Sequence, residues 1–381
     1  MTSPHMGLKV VELARILAGP WIGQTLADLG AEVIKVEAPE GDDTRRWGPP
    51  FVERPHPDGH TEKVAAYFFA ANRGKTSVTC DFRKRDDRDR LIQLINDADV
   101  LIENFRVGGL VKYGLDYGTL SKINSRLIYA SITGFGHTGP RALQSGYDFL
   151  IQGMTGIMDI TGEPEGQPQK VGVAWIDVFT GLYGTIAIQA ALAEREISGK
   201  GQHLDLSLMD CGIGVLANQA TNFLLGGQVP KRLGNAHPNI VPYQVFAALD
   251  GHLVIACGND TQFAAMCDVL GLKLDTCYAT NEGRVQNRDQ LIPLIEAVTV
   301  QITRAKLIDD LNAARVPCGP INSVAEALDD PQIRQRNMQI NPEGFAGVRT
   351  PLRFSRSTLS LDKTAPLLGS GEWSFKHQEV E

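Results

Sequence analysis

Up to about residue 208, apolar and polar positions follow two alternating rhythms. Short β-branched runs read as buried strands: "LKVVEL" (8–13), "AEVIKVE" (31–37), "TSVTCDF" (76–82), "VLIENF" (100–105), "RLIYASITGFG" (126–136) and "QHLDLSL" (202–208). Between them lie stretches with helical spacing: "WIGQTLADLG" (21–30), the charged amphipathic "DRDRLIQLINDA" (87–98) and "YGTLSKIN" (117–124). Strands alternating with helices predict an α/β unit whose parallel sheet is covered on both faces. The pattern changes at "YQVFAALDGHLVIACG" (243–258), two alternating runs joined by Asp250-Gly251, which predicts a hairpin with a type I′ turn. Helical stretches "TQFAAMCDVLG" (261–271) and "RAKLIDDLNAARV" (304–316) follow. The expected organisation is a large domain over 1–224, a smaller α+β domain over 225–325, and a Pro/Gly-rich segment, 326–381, that returns to the large domain.

One segment breaks both rhythms. In "KVGVAWIDVFTGLYGTIAIQAALAERE" (170–196), the ionisable side chains between Val171 and Ala193 are Asp177 and the phenol of Tyr183. The stretch is long enough to cross a bilayer. Against that stand a mid-membrane aspartate, costing about 2.5–3.5 kcal/mol, the glycines 172, 181 and 184, and amphipathic α/β flanks with no second span. A buried core helix is the expected form. Asp177 then has two compatible readings. It is an N-cap accepting backbone amides, or a desolvated carboxylate serving as a covalent nucleophile.

Composition narrows the remaining classes. The 381 residues are 43% hydrophobic and 21% charged with net charge −7, an ordinary globular usage that opposes nucleic-acid binding through overall charge. Six scattered cysteines without a CxxC fit a reduced compartment rather than a disulfide framework or zinc site, and "MTSPHMGLKV" has no signal-peptide pattern, so the expected location is the cytoplasm. "GFGHTG" (134–139) matches a dinucleotide fingerprint. However, Pro140 and polar residues follow where a helix must open, and the position is wrong for the first βα turn. No nucleophile elbow, Walker loop or H-E-x-x-H occurs. His137 and His237 lie in loop-like sequence, as candidate bases or as structural histidines.

Five stretches, in this order and spacing, resemble the family III CoA-transferases, the CaiB/BaiF group: "GLKVVELARILAGPWIGQTLADLGAEVIKVEAPEGDDTR", "ANRGKTSVTCDF", "DVLIENFRVGGLVKYGL", "RLIYASITGFGHTGP" and "GVAWIDVFTGLYG". "GDDTRRWGPPFV" and "RLGNAHPNIVPYQVF" are similar to the family's dicarboxylate branch, of the succinyl-CoA:glutarate type. The resemblance implies a Rossmann-like large domain, a smaller α+β domain and an interlocked homodimer. The activity it implies is transfer of CoA from an acyl-CoA, succinyl-CoA for example, to a free carboxylic acid, with no metal, membrane or nucleic-acid partner. It makes Asp177 the catalytic residue, passing through a mixed anhydride and an aspartyl-CoA thioester.

The CoA contacts that the resemblance implies are Ile16, Leu17, Ala18, Arg83, Asn104, Phe105, Lys112, Thr133, Gly134, Phe135 and Gly136. An arginine that some relatives use for the adenosine phosphate is Ala38 here, with Arg45 as the candidate replacement. For a dicarboxylate's second carboxylate the candidates are Arg45, Arg46, Arg232 and His237, with Tyr147 beside them. The family's racemases use a histidine where this chain has Tyr147 and a glutamate where it has Gln244. Neither replacement suits a proton relay near neutral pH, so transferase is the preferred reading. A racemase or a non-catalytic acyl-CoA-binding protein are the alternatives.

Overall fold

The computed structural model describes residues 2–56, 58–273 and 275–376. They fall into two compact units, one of residues 2–56, 58–157, 170–221 and 332–376, the other of residues 158–169, 222–273 and 275–331.

The first unit is built on strands β1 (Lys9–Glu12), β2 (Glu32–Glu37), β5 (Thr76–Thr79), β6 (Val100–Glu103), β7 (Ile128–Thr133) and β8 (His203–Ser207). Strands β3 (Phe51–Pro55) and β4 (Thr61–Ala65) form a separate hairpin between β2 and β5. The six main strands are parallel in the order β5-β2-β1-β6-β7-β8. That is the order of a Rossmann sheet, whose direction of growth reverses between β1 and β6.

Alternation along each strand divides the core. Val10, Val33, Val100, Ile102, Ile128, Ala130 and Ile132 face one side, where they join Ile22 and Leu26 of α1 (Ala18–Asp28) and Ile176, Ile188 and Ala191 of the long helix described below. Val11, Ile34, Val36, Val78, Leu101 and Tyr129 face the other, against Leu91, Leu94 and Ile95 of α2 (Arg85–Asn96) and Leu120 of α3 (Tyr117–Ile123). The C-terminal segment completes this unit. It contains the short pair β12 (Gln339–Ile340) and β13 (Gly347–Val348), the Gly371 amide bonds Ser77 O at 2.8 Å, and Phe375 enters the second core cluster.

Two shorter helices, α4 (Asp148–Met154) and α6 (Leu208–Gly214), flank the long helix α5 (Trp175–Ser198). By length and composition alone α5 could cross a membrane. Its glycines show what it does in this fold. A Cβ on Gly181 would lie 3.0 Å from Trp21 Cβ, and one on Gly184 would strike Ile22 Cδ1 and come within 3.0 Å of Leu206 Cδ1. These two positions let α5 lie directly against α1 and the sheet, so the helix is a packed element of the α/β layer.

The second unit has its own sheet, β11-β10-β9, of antiparallel strands β9 (Tyr243–Ala248), β10 (Gly251–Ala256) and β11 (Cys318–Pro320). Phe246, Leu253 and Ile255 pack on Met266 of α7 (Asp260–Leu270), Leu291 and Ile295 of α8 (Arg288–Thr299) and Leu307 and Leu311 of α9 (Arg304–Ala313). The hairpin forms where expected but not with the expected turn. Ala248 pairs with Gly251, so Leu249 and Asp250 are the loop residues, and neither has the positive φ that a type I′ turn requires. Residues 158–169 also join this unit, an excursion absent from the sequence reading. The tie is Arg232, whose Nη1 donates to Asp159 O at 2.9 Å and pairs with Asp159 Oδ1 at 3.2 Å.

Gly184→Val is expected to lower stability by about 1–3 kcal/mol through overpacking. Gly172→Ala, whose Cβ meets nothing within 4 Å, should stay within about 0.5 kcal/mol of the parent. Urea midpoints at constant slope check both.

Candidate active site

The reversal point between β1 and β6 opens into a cavity of about 630 Å³. That is within the usual size for a small-molecule site, at the carboxyl ends of the strands where open α/β sheets bind ligands. Its wall comes from several chain segments. Arg15 to Ala18 follow β1, Asn104 to Val107 with Lys112 and Tyr113 follow β6, and Thr133 and Gly134 lie at the end of β7. Gln144 to Tyr147, Asp177, Phe82 and Leu208 also line it. Asn104 locks the first two segments together. Its Oδ1 accepts from the Arg15 amide at 3.0 Å and its Nδ2 donates to Arg15 O at 2.7 Å. Gly134 and Gly146 let the others cross, since a Cβ on either would lie 2.6 Å from the Cα of the other.

Asp177 lies in the first turn of α5 but does not cap it. The N-cap position is Ala174, and no side chain caps from there. The carboxylate doing that work is remote in sequence. Asp148 Oδ1 accepts from the Ile176 amide at 2.7 Å and the Asp177 amide at 3.3 Å, and its Oδ2 accepts from Gln152 Nε2 at 2.6 Å. Gln152 in turn takes the Val171 amide at 2.9 Å. The N-cap alternative for Asp177 is therefore overturned: its own amide is a donor to another acid. Its half-buried carboxylate is pushed up to about 7, first by desolvation and then by the charge of Asp148.

The sequence-derived candidates separate clearly. Ile16, Leu17, Ala18, Asn104, Phe105, Lys112, Thr133, Gly134, Tyr147 and Asp177 all line this cavity. Arg83 lines an adjoining cavity of about 410 Å³ that shares Arg15, Phe82, Phe105 and Tyr113 with the first, and it is held by Asp81 at 2.8 Å. Phe135 is instead a core residue, and the Gly136 amide is turned onto Thr133 Oγ1 at 2.8 Å. Arg45 is not available to any ligand. It is buried, forked onto both oxygens of Glu37 at 2.7 and 2.8 Å, paired with Glu62 at 2.8 Å, and stacked 3.8 Å over the Phe68 ring. Arg46 pairs at the surface with Asp43 at 3.1 Å. Arg232 and His237 belong to the second unit. Arg232 is tied to Asp159 there, and His237 Nδ1 accepts the Asn239 amide at 3.0 Å.

The sequence reading missed Arg15, Phe82, Arg106 and Tyr113, which also line the cavity, and Asp148 and Gln152 behind it. Arg15 carried a usable signal: a long cation directly after the first parallel strand. Among the described residues, one cluster has metal-ligand composition. His56, Asp58 and His60, at the β3–β4 turn, have donor atoms within 4.8 Å of one another.

A carboxylate with this environment is more stable neutral than charged in the fold. Asp177→Asn should therefore raise the melting temperature at pH 8, where the parent must hold an ionised Asp177. The gain should vanish by about pH 4, below which the side chain is protonated in both folded and unfolded chains. Thermal melts across that range check the sign.

The family description "CoA-transferase family III" matches residues 6–372 of this chain. The chain is 50% identical over 375 residues to a succinate–glutarate CoA-transferase of Agrobacterium fabrum, covering 96% of this chain and 93% of the relative. It is 40% identical over 357 residues to an acetyl-CoA:oxalate CoA-transferase of Acetobacter aceti, covering 92% and 89%. Among solved structures, a CaiB/BaiF family protein from Brucella suis superposes with a TM-score of 0.87 at 57% identity, covering 97% of each chain.

Proposed function

The chain belongs to CoA-transferase family III and is a CoA-transferase, and we propose that it moves CoA onto a dicarboxylate through covalent intermediates on Asp177. The observation that carries the reading is the placement of this one carboxylate. It lines the cavity at the sheet's reversal point, accepts no hydrogen bond among the described residues, and is desolvated enough to titrate near neutrality. A carboxylate stripped of partners is a better nucleophile than a solvated one.

The steps balance without an external energy source. Asp177 Oδ attacks the thioester carbonyl of the donor, the C–S bond breaks, and CoA leaves as thiolate, giving a mixed anhydride. The thiolate attacks the aspartyl carbonyl, releasing the donor acid and leaving an aspartyl-CoA thioester. The acceptor carboxylate attacks that carbonyl and expels the thiolate again. The thiolate then takes the acceptor acyl group and frees Asp177. The adjoining cavities give CoA its berth. Phe82, with its ring centroid 5.8 Å from that of Phe105 and 5.5 Å from that of Tyr113, forms with them an aromatic wall for the adenine. Arg15, Arg83 and Lys112 offer charge to its phosphates.

For the acids, the names of the relatives favour a dicarboxylate, succinate and glutarate in one and oxalate beside acetyl-CoA in the other. Succinyl-CoA and glutarate are the pair we assign. The second carboxylate is not held by Arg45, whose donors are taken up by Glu37 and Glu62.

The assembly we assign is a homodimer, in the interlocked form the family resemblance implies. In support, the first unit leaves Phe149 and Leu150 of α4 and Leu182, Tyr183 and Ile186 of α5 exposed, large apolar side chains on two helices that pack together. Six free cysteines, two of them buried among apolar neighbours in the second unit, support a reducing cytoplasmic setting.

Asp177→Ala is expected to abolish transfer from succinyl-CoA to glutarate while the protein still folds and binds CoA. Hydroxylamine added during turnover should place a hydroxamate on residue 177, read by peptide mass. Turnover in the alanine variant, or an adduct elsewhere, refutes the assignment. Ile186→Glu should shift the chain from dimer to monomer in light scattering.

A further inference from the structure

The geometry points to Asp148 as a positioning residue for the transfer reaction: its carboxylate takes the first amides of the nucleophile's helix, fixing where Asp177 projects and withholding those amides from it. This rests on Asp177 being the nucleophile.

A helix N-terminus ordinarily stabilises an anion there, because its first amides are unpaired and its dipole is positive. Asp177, in the first turn of α5, would receive that stabilisation and become a weaker nucleophile. Asp148 intervenes from α4, 29 residues earlier. One of its oxygens meets the amides of Ile176 and Asp177 at 2.7 and 3.3 Å. The other is held by Gln152 at 2.6 Å, and Gln152 also holds the Val171 amide at 2.9 Å just before the helix. Asp148 and Gln152 are both buried, Gln152 completely, so this brace is not a surface ion contact. It joins α4 to both the entry and the first turn of α5.

Asp148 also acts on Asp177 through charge, raising its titration alongside desolvation. The other groups facing Asp177 are the Tyr67 hydroxyl, whose own titration Asp177 raises after burial, and Tyr147, Arg15, Arg106 and Lys112 around the same cavity. Desolvation and the charge of Asp148 push the Asp177 titration up. Asp148 thus does two things that a plain capping residue does not. It keeps the helix amides off the nucleophile and holds a like charge beside it.

Asparagine removes the charge while its amide oxygen still accepts from the helix, although its Nδ2 cannot accept from Gln152 as Oδ2 does. In single-turnover consumption of succinyl-CoA with glutarate, the acid limb of the rate against pH for Asp148→Asn should move down by about half a pH unit or more. The concentration dependence on acyl-CoA should stay within about twofold. Asp148→Ala, which frees α5 to shift, should lose up to about 10²-fold in rate, as small displacements of a reacting group do. Asp148→Ser, a short neutral acceptor, gives the same test of the limb if the asparagine variant does not fold. A limb that stays at the parent's pH in the neutral variants, with only the plateau lowered, overturns the proposal and leaves Asp148 structural. An inert Asp177→Ala beside an unmoved limb faults only the role of Asp148. An active Asp177→Ala faults the nucleophile itself.

Discussion

The cavity's rim depends on a cluster of charges with no access to water. Glu12, at the end of β1, accepts from Lys35 of β2 and from Lys75 just before β5, at 3.0 and 2.9 Å on one oxygen. Lys35 reaches on to Asp42 at 3.0 Å and to Ala14 O at 2.8 Å, while Lys75 also binds Pro20 O and Asn72 Oδ1, each at 2.9 Å. Burying such groups is expensive, and the arrangement holds only because nearly every donor is matched. Its consequence is geometric. Asp42 divides its carboxylate over the Ile16 amide, 3.3 Å from each oxygen, at a residue whose φ is 74°. A β-branched residue does not rest in the left-handed region unaided. The ionic cluster supplies the restraint, and with it the path of Arg15 to Ala18 along the cavity.

Three aspartates bordering this region show how surroundings assign work to identical side chains. Asp42 is desolvated, yet the Lys35 charge and the Thr44 amide and hydroxyl hold it below its ordinary range. It is a restraint and stays ionised. Asp148 spends its oxygens on two backbone amides and the Gln152 amide, so its capacity as an acceptor is used within the fold. Asp177 has desolvation and a like charge without matching donors. An unsatisfied group of this kind is a liability in a structural position and an asset where a bond must be formed.

Much of the framework was legible because it is local. The β-branched runs from residue 8 to 208 became the six parallel strands, and "DGH" did mark a hairpin, although Leu249 and Asp250 form its loop. Asp177 stood out because nothing ionisable but a tyrosine lies near it in sequence. What was not legible depends on partners far along the chain. Capping by Asp148 spans 28 residues to Ile176, and nothing in "SGYDFL" announces it. Arg45 looked like a free cation because its acceptors, Glu37, Glu62 and Pro366 O, come together only in the fold. The Arg232 pairing was hidden for the same reason, since its partner Asp159 lies 73 residues earlier in the polar segment 158–169 that joins the second unit. The β3–β4 hairpin escaped notice because "FVERPHPDGHTEKVA" mixes charge, proline and histidine where a strand is usually announced by apolar alternation.

For the nucleophile proposed above, the position of Asp177 on its helix is at first sight a poor choice, since the start of α5 would stabilise the anion and blunt it. The fold answers by separating placement from stabilisation. Placement comes from α5, which Gly181 and Gly184 press against α1, so the first turn is carried by the rigid layer of the sheet rather than by a loop. Stabilisation is diverted to Asp148, which satisfies the exposed amides and leaves the dipole's positive end already paired. A carboxylate that gains little from its own helix can exchange its charge for a covalent bond and regain it later without a deep well on either side. That symmetry suits a reaction whose substrates and products are the same two functional groups, a thioester and a carboxylate, and in which the enzyme must be indifferent to which acid currently holds the acyl bond.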